Sequence, residues 1–309
     1  MPERWPIETS VPVETDPIRF EVDMTGDPTS KKLALLLHGF PESKFSWRHQ
    51  MGVFADHGFR VWAPNQRGYG HTTRPSGIDA YNMDHLVADV AKLIDASGCD
   101  EVTLVGHDWG GAVAWAFALN PPRPLDRLVI MNLPHPTLFQ RKLRTAKQFM
   151  RSWYTMFFQI PGLPEAFLGR NQAHAIGEAF RGMAVDKSRF PEEVLDVYRR
   201  HALEPGALTA MLNWYRAMRS SRLDKEEFPI LDTRTLMIWG TQDTALGLET
   251  TWRTEELVRD FTIRYLPVSH WVQQEAPEAV NEILEAWLCG RPVPDPMPAG
   301  ITEAPEPGR

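Results

Sequence analysis

The stretch "VTLVGHDWGGAVAWAFAL" occupies residues 102–119. It opens with a short apolar run of strand length and closes with an Ala-rich apolar run of helix length. One carboxylate, Asp108, stands between them, with glycine at positions 106, 110 and 111. A charge between two buried elements is costly unless partners hold it. The free N–H groups at a helix start favour an anion, so Asp108 can stay ionised there. The spacing glycine, one residue, Asp108, one residue, glycine is that of a tight strand-to-helix turn that lifts a nucleophile above a sheet. The plain alternative is an aspartate capping the helix that starts at Trp109.

Outward from this stretch, short apolar runs recur: "IRFEV" (18–22), "LALLL" (33–37), "RVWAP" (60–64), "VTLVG" (102–106), "LVIMN" (128–132), "TLMIW" (235–239) and "TIRYL" (262–266). Runs without polar alternation read as strands buried on both faces. Helical patterns at 84–97, 109–119, 246–259 and 276–288 separate them. Alternating strand and helix predicts an α/β fold with a mostly parallel sheet flanked by helices. Residues 134–229 break the rhythm: they read as helical, with aromatic and Met-rich faces punctuated by Pro161, Pro164, Pro191 and Pro205. The expected organisation is a core in two parts, 1–133 and 230–291, with 134–229 inserted as a helical cap (lid) over the strand carboxyl ends, where open α/β sheets place ligands. The Pro-rich residues 292–309 are expected to be disordered.

Composition narrows the classes. The 309 residues are 43% hydrophobic and 24% charged, as in a water-soluble globular chain. A net charge of −7 argues against a nucleic-acid partner. Two cysteines, Cys99 and Cys289, make no disulfide framework and suit a reducing compartment. The start "MPERWPIETS" lacks the apolar core of a secretory signal, and no run approaches the roughly 20 apolar residues that span a bilayer. A cytoplasmic protein is expected. The histidines show no metal-ligand spacing, and no cofactor motif is present, so no metal and no cofactor are expected.

Three further stretches complete a catalytic set. "LLLHGFP" (35–41) ends a buried strand, and its loop would offer the N–H of Phe40, paired with that of Trp109, as an oxyanion hole. The sequence leaves the Phe40–Pro41 bond open between cis and trans. "WGTQDTALG" (239–247) places Asp243 after a buried strand, and "SHWVQQEAPE" (269–278) places His270 between the last strand and the last helix. Taken singly, these are ordinary turn and helix-start residues. Together they follow the order nucleophile, acid, histidine, which is that of the α/β-hydrolase fold. An aspartate nucleophile selects chemistry at saturated carbon: it forms an alkyl ester, which water can open at the aspartate's own carbonyl carbon. His270 would deprotonate that water, near the ordinary imidazole pKa of about 6.5, with Asp243 holding its ring. Such substrates are epoxides or alkyl halides. Tyr154 and Tyr215, in the inserted segment, would suit an epoxide by donating to the oxygen as the ring opens; the alternative is that both are core aromatics.

The chain resembles the α/β-hydrolase-fold epoxide hydrolases, especially the soluble type, over about residues 30–290. The resemblance rests on "HGFPESKFSWRHQ" (38–50), "NQRGYG" (65–70), "GHDWGG" (106–111), "FFQIPG" (157–162), "NWYRAM" (213–218) and "SHWVQQEAP" (269–277). It implies Asp108 as nucleophile, Tyr154 and Tyr215 as ring-opening tyrosines, and Asp243 and His270 as the charge-relay pair. The implied partners are a small, apolar epoxide and water. The acid loop "GTQDTALG" and the stretch "QAHAIGEAFRGMA" (172–184) depart from the family pattern, so no substrate preference carries over. One rival is a dehalogenase on the same scaffold, which Trp109 would suit; the usual second halide donor of those enzymes is an Asn where this chain has Phe40. Another is a catalytically silent ligand-binding relative. Arg141, Lys142, Arg144, Lys147 and Arg151 read as a solvated helix face, or as a surface for membrane docking.

Overall fold

The computed structural model describes residues 9–143, 150–151, 153–218 and 228–297. Eight strands form one sheet: β1 (Thr9–Thr15), β2 (Ile18–Gly26), β3 (Lys32–Leu37), β4 (Arg60–Pro64), β5 (Glu101–His107), β6 (Arg127–Met131), β7 (Arg234–Gly240) and β8 (Phe261–Leu266). Their spatial order is β1-β2-β4-β3-β5-β6-β7-β8. The β1–β2 and β2–β4 pairs are antiparallel, and every pair from β4 to β8 is parallel. Strand β1 has no counterpart among the apolar runs. Val11 and Val13 are half-buried and alternate with exposed Pro12 and Glu14, a pattern suited to an edge strand, where a proline costs no ladder bond.

Around the sheet lie α1 (Met51–Asp56), α2 (Met83–Ser97), α3 (Trp109–Leu119), α4 (Pro136–Leu143), α5 (Trp153–Phe157), α6 (Leu163–Met183), α7 (Glu192–Leu203), α8 (Ala207–Ala217), α9 (Val272–Glu275) and α10 (Pro277–Leu288). Helix α3 is apolar all round and correspondingly buried, with Val113, Trp115 and Phe117 fully enclosed. Helix α2 starts where the Asn82 side chain accepts from the His85 N–H and stops at Gly98 in the left-handed conformation. The core has two layers. One holds α2, α3 and the helices between β6 and β7; the other holds α1 and α10. Helix α6 is interrupted at Asn171, Gln172 and Ala173, which take positive φ.

The helix expected over 246–259 does not form. Only two 3-10 turns occur there, Leu248–Thr250 and Thr254–Glu256. The hydroxyls of Thr250, Thr251 and Thr254 donate to the carbonyls of Gly247, Leu248 and Thr251 at 2.6, 2.8 and 2.6 Å. Each threonine bonds three residues back, which favours the tighter turn over a continuous helix. Residues 292–297 form neither helix nor strand; the rest of the Pro-rich tail, and Arg144 and Lys147 of the basic stretch, lie outside the described residues. No helix among the described residues is long and apolar enough to cross a membrane.

Parallel register brings the functional positions together. Leu37 pairs with Gly106, His107 with Met131, and Met131 with Ile238. The carboxyl ends of β3, β5, β6 and β7 therefore meet, and the loops they feed carry Phe40, Asp108, Asn132 and Asp243.

Candidate active site

Asp108 sits at φ 49° and ψ −120°, a backbone state that non-glycine residues rarely adopt and that costs about 1–3 kcal/mol. The turn closes because three neighbours lack a side chain. A Cβ on Gly106 would stand 2.4 Å from the Gly110 carbonyl oxygen, one on Gly110 would stand 2.1 Å from that of Leu37, and one on Gly39 would stand 2.5 Å from Asp108 Cβ. These glycines serve close approach rather than unusual torsion. The Asp108 side chain makes no capping bond to α3, which sets aside the N-cap reading. Instead its Oδ1 accepts the Phe40 N–H at 2.8 Å, and Oδ2 lies 3.4 Å from His270 Nε2. The Phe40–Pro41 bond is cis.

On its other side, His270 Nδ1 meets Asp243 Oδ2 at 2.6 Å. Asp243 is fixed in turn: Oδ1 accepts the N–H groups of Ala245 and Leu246 at 2.8 and 2.9 Å, and Oδ2 accepts Asn132 Nδ2 at 2.8 Å. Asn132 also accepts the Gly240 N–H at 2.9 Å, tying the ends of β6 and β7 together. Burial alone would push the His270 imidazole down, but Asp243 and Asp108 together outweigh it and take its pKa up to about 10. Asp108 shows the converse. Burial would raise it, yet His270, with help from His107 and the Phe40 N–H, holds the carboxyl below its ordinary value. In the free protein the pair is thus an imidazolium facing a carboxylate.

Asp108 faces a cavity of about 180 Å³, whose lining includes Trp109, Tyr154, Tyr215 and apolar side chains such as Met83, Leu86, Leu133 and Phe139. The two tyrosine rings meet edge to face at 6.1 Å, and Tyr215 packs edge-on against Trp109 at 5.0 Å and Phe40 at 5.2 Å. Burial first, then Asp108 and Asp243, raise the Tyr154 phenol; burial, Tyr154 and Asp108 raise Tyr215. Both therefore remain proton donors. Residues beside them act as struts: Gln159 Nε2 donates to the Tyr215 carbonyl at 3.1 Å, Trp214 Nε1 to the Arg67 carbonyl at 3.1 Å, and Arg216 pairs with Glu165 at 2.7 Å.

Sequence reasoning missed the groups behind His270. Glu42 is fully enclosed, and its Oε2 accepts the Gly39 N–H and meets His107 Nδ1, both at 2.7 Å. His107 Nε2 donates to the His270 carbonyl at 2.8 Å. Both ring nitrogens of His107 thus face acceptors, Glu42 on one side and the His270 carbonyl on the other. The signal was present: a glutamate inside "HGFPES" and a histidine ending the buried run "VTLVGH" are both expensive without a partner. Asn132 reads from the sequence only as the end of the apolar run "LVIMN". Among the described residues, no group of three His, Cys, Asp or Glu side chains could hold a metal ion.

Residues 34–277 match the family described as the alpha/beta hydrolase fold. AB hydrolase superfamily protein YfhM of Bacillus subtilis (strain 168) is 38% identical over 259 residues, covering 83% of this chain and 90% of that protein. Epoxide hydrolase 4 of Mus musculus is 35% identical over 285 residues, covering 90% of this chain and 78% of its own. Among solved structures, a Bacillus megaterium epoxide hydrolase in complex with an inhibitor superposes with a TM-score of 0.82 at 30% identity, covering 90% of this chain and 100% of the other.

Proposed function

We propose, since the chain belongs to the epoxide hydrolases of the α/β-hydrolase fold, that it converts an epoxide and water to a vicinal diol in two steps through an ester on Asp108. Asp108 Oδ2 attacks an oxirane carbon, the ring C–O bond breaks, and the departing oxygen takes a proton from Tyr154 or Tyr215. Alkylation cancels the charge on Asp108 that helps to hold the extra proton on His270. That proton makes good the one lost by the phenol, and His270 is left neutral. It then takes a proton from water, whose oxygen attacks Asp108 Cγ. The Phe40 and Trp109 N–H groups stabilise the charge that develops on Oδ1. Collapse expels the diol oxygen, which takes back the proton from His270, and the carboxylic acid left on Asp108 then passes its remaining proton to His270, restoring the carboxylate and the imidazolium. Asp243 holds the imidazole throughout. Residues 134–229 act as a cap that supplies the phenols and excludes bulk water.

The observation that carries this reading is the shared cavity. The Asp108 carboxylate, pinned through one oxygen to Phe40, faces the same space as Tyr154 and Tyr215. A dehalogenase would pair the Trp109 indole with a second halide donor, usually an Asn, and this chain has Phe40 at that place. The cavity of about 180 Å³ is slightly larger than the roughly 150 Å³ site that binds benzene, so we infer a substrate bearing one aryl ring or an alkyl group of similar bulk.

A single turnover in ¹⁸O water, with enzyme in excess over epoxide, tests the route. The diol leaves unlabelled and the isotope appears in Asp108. Label in that first diol means water attacks the oxirane directly, and the covalent route is then wrong. The phenols have their own test. Tyr154→Phe and Tyr215→Phe each slow ring opening, and the double variant slows it by ~10²–10⁴-fold, the usual scale of general-acid assistance. Rapid-mixing measurement of ester formation reads this step alone, and an unchanged double variant removes the role assigned to the pair.

A further inference from the structure

The loop that bears His270 is gripped by the helices inserted between β6 and β7, at points outside the cavity lining. Glu275, five residues on and only 3% exposed, accepts the Ser269 N–H at 3.2 Å and the Ser269 hydroxyl through Oε2. Its Oε1 accepts the N–H groups of Val185 and Asp186, just past α6, both at 2.9 Å. The Trp271 ring lies 4.4 Å from Phe180 of α6, and Phe180 stacks on Tyr198 of α7 at 4.3 Å. The enclosed Tyr198 hydroxyl donates to Gln274 Oε1 at 2.6 Å, which also accepts from Arg48 at 2.7 Å. Gln274 Nε2 donates to Glu42 Oε1 at 2.8 Å. From Glu42 the bonded line runs through His107 to the His270 carbonyl. The residues before His270, directly after it and four places on are therefore all anchored to the insertion.

A loop needs such anchoring when its side chain must meet two partners at once. His270 must hold Asp243 at 2.6 Å and stand 3.4 Å from Asp108. A misplacement of about 1 Å costs on the order of 10²-fold in rate, and loops keep such precision only when a surrounding layer locks them. We propose that Tyr198 and Glu275 are positioning residues that brace His270 from the insertion side, so that the insertion governs ester hydrolysis as well as ring opening. This rests on the reading of His270 as the base. Neither residue lines the cavity that holds Asp108, Tyr154 and Tyr215, so the ring-opening step has no direct need of them.

The test is Tyr198→Phe, which removes one oxygen and keeps the stacked ring, with Glu275→Ala as a second variant. Ester formation and ester breakdown are timed separately by rapid mixing with an aryl epoxide. Breakdown slows roughly 10- to 100-fold, while ester formation stays within about twofold of the parent. The charged and titratable groups facing His270 are Asp108, Asp243 and His107. Loosening its contact with Asp243 removes part of what raises its pKa, so the acid limb of the breakdown rate moves to lower pH. A purely structural defect slows both steps and leaves that limb in place. Equal slowing of both steps, or an unchanged breakdown rate and acid limb in Tyr198→Phe, overturns the proposal. His270→Gln serves as the control. If it accumulates ester while Tyr198→Phe behaves as the parent, the bracing role alone fails; if it accumulates none, the reading of the base fails first.

Discussion

Replacing Asp108 by alanine removes turnover, with the rate falling on the order of 10⁴–10⁶-fold, the scale seen when a nucleophile is deleted from a preorganised site. The remaining groups cannot compensate. Phe40 N–H loses the oxygen it binds at 2.8 Å, and His270 faces an empty position where Oδ2 stood at 3.4 Å. Diol formation by Asp108→Ala within about tenfold of the parent rate would rule out the ester route. Asp108→Gly loses as much activity but melts at a higher temperature than Asp108→Ala, because glycine accepts φ 49° without the strain of about 1–3 kcal/mol that a Cβ carries there. Thermal unfolding of the two variants checks this, and equal melting temperatures mean the turn is not strained.

His270→Gln separates the two steps. The amide can still bond Asp243 but takes no proton from water, so ester breakdown slows by ~10²–10⁴-fold while the ester still forms. Mass spectrometry of the Asp108 peptide should show the added mass of the epoxide; its absence, with a reactive substrate, refutes the role of His270. The pH dependence follows from the same charges. The ordinary imidazole value expected from sequence does not hold, since Asp243 and Asp108 take the free-protein pKa up to about 10. Alkylation removes one of these two carboxylates, so the value falls in the ester. Breakdown is fast above that lowered pKa and slows as pH drops through it and the imidazole protonates. On the acid side ester formation depends on an ionised Asp108, which is held below its ordinary value, so it stays flat down through the ordinary aspartate range. Mild acid therefore loads the parent enzyme with ester. A shared acid limb for both steps contradicts this.

The positions of the loops were legible because each follows a buried run, and parallel register forces such ends together. Asp108, Phe40, Asp243 and His270 could be found from one dimension for that reason. Distances could not be, and the electrostatics went with them: no spacing reveals that His270 stands between two carboxylates. Glu42 and Asn132 escaped because each acts through neighbours remote in sequence, His107 and Asp243. The false helix at 246–259 had an apolar pattern, but the side-chain hydroxyls of Thr250, Thr251 and Thr254 decided its backbone locally. Strand β1 was hidden by Pro12 and Glu14, which an outermost strand tolerates and a central one does not.

Beyond the oxyanion role proposed for it, the Phe40 N–H orients the resting carboxylate. It grips Oδ1 in the free protein, leaving Oδ2 on the side of His270. If that grip outlasts the cycle, the two carboxylate oxygens are never interchanged: one is a permanent resident, and the other leaves with every product and is replaced from solvent. Enzyme charged once with heavy oxygen and returned to ordinary water would then hand the whole label to its next diol, whereas a freely turning carboxylate would hand over about half and pass the remainder down later cycles in diminishing shares.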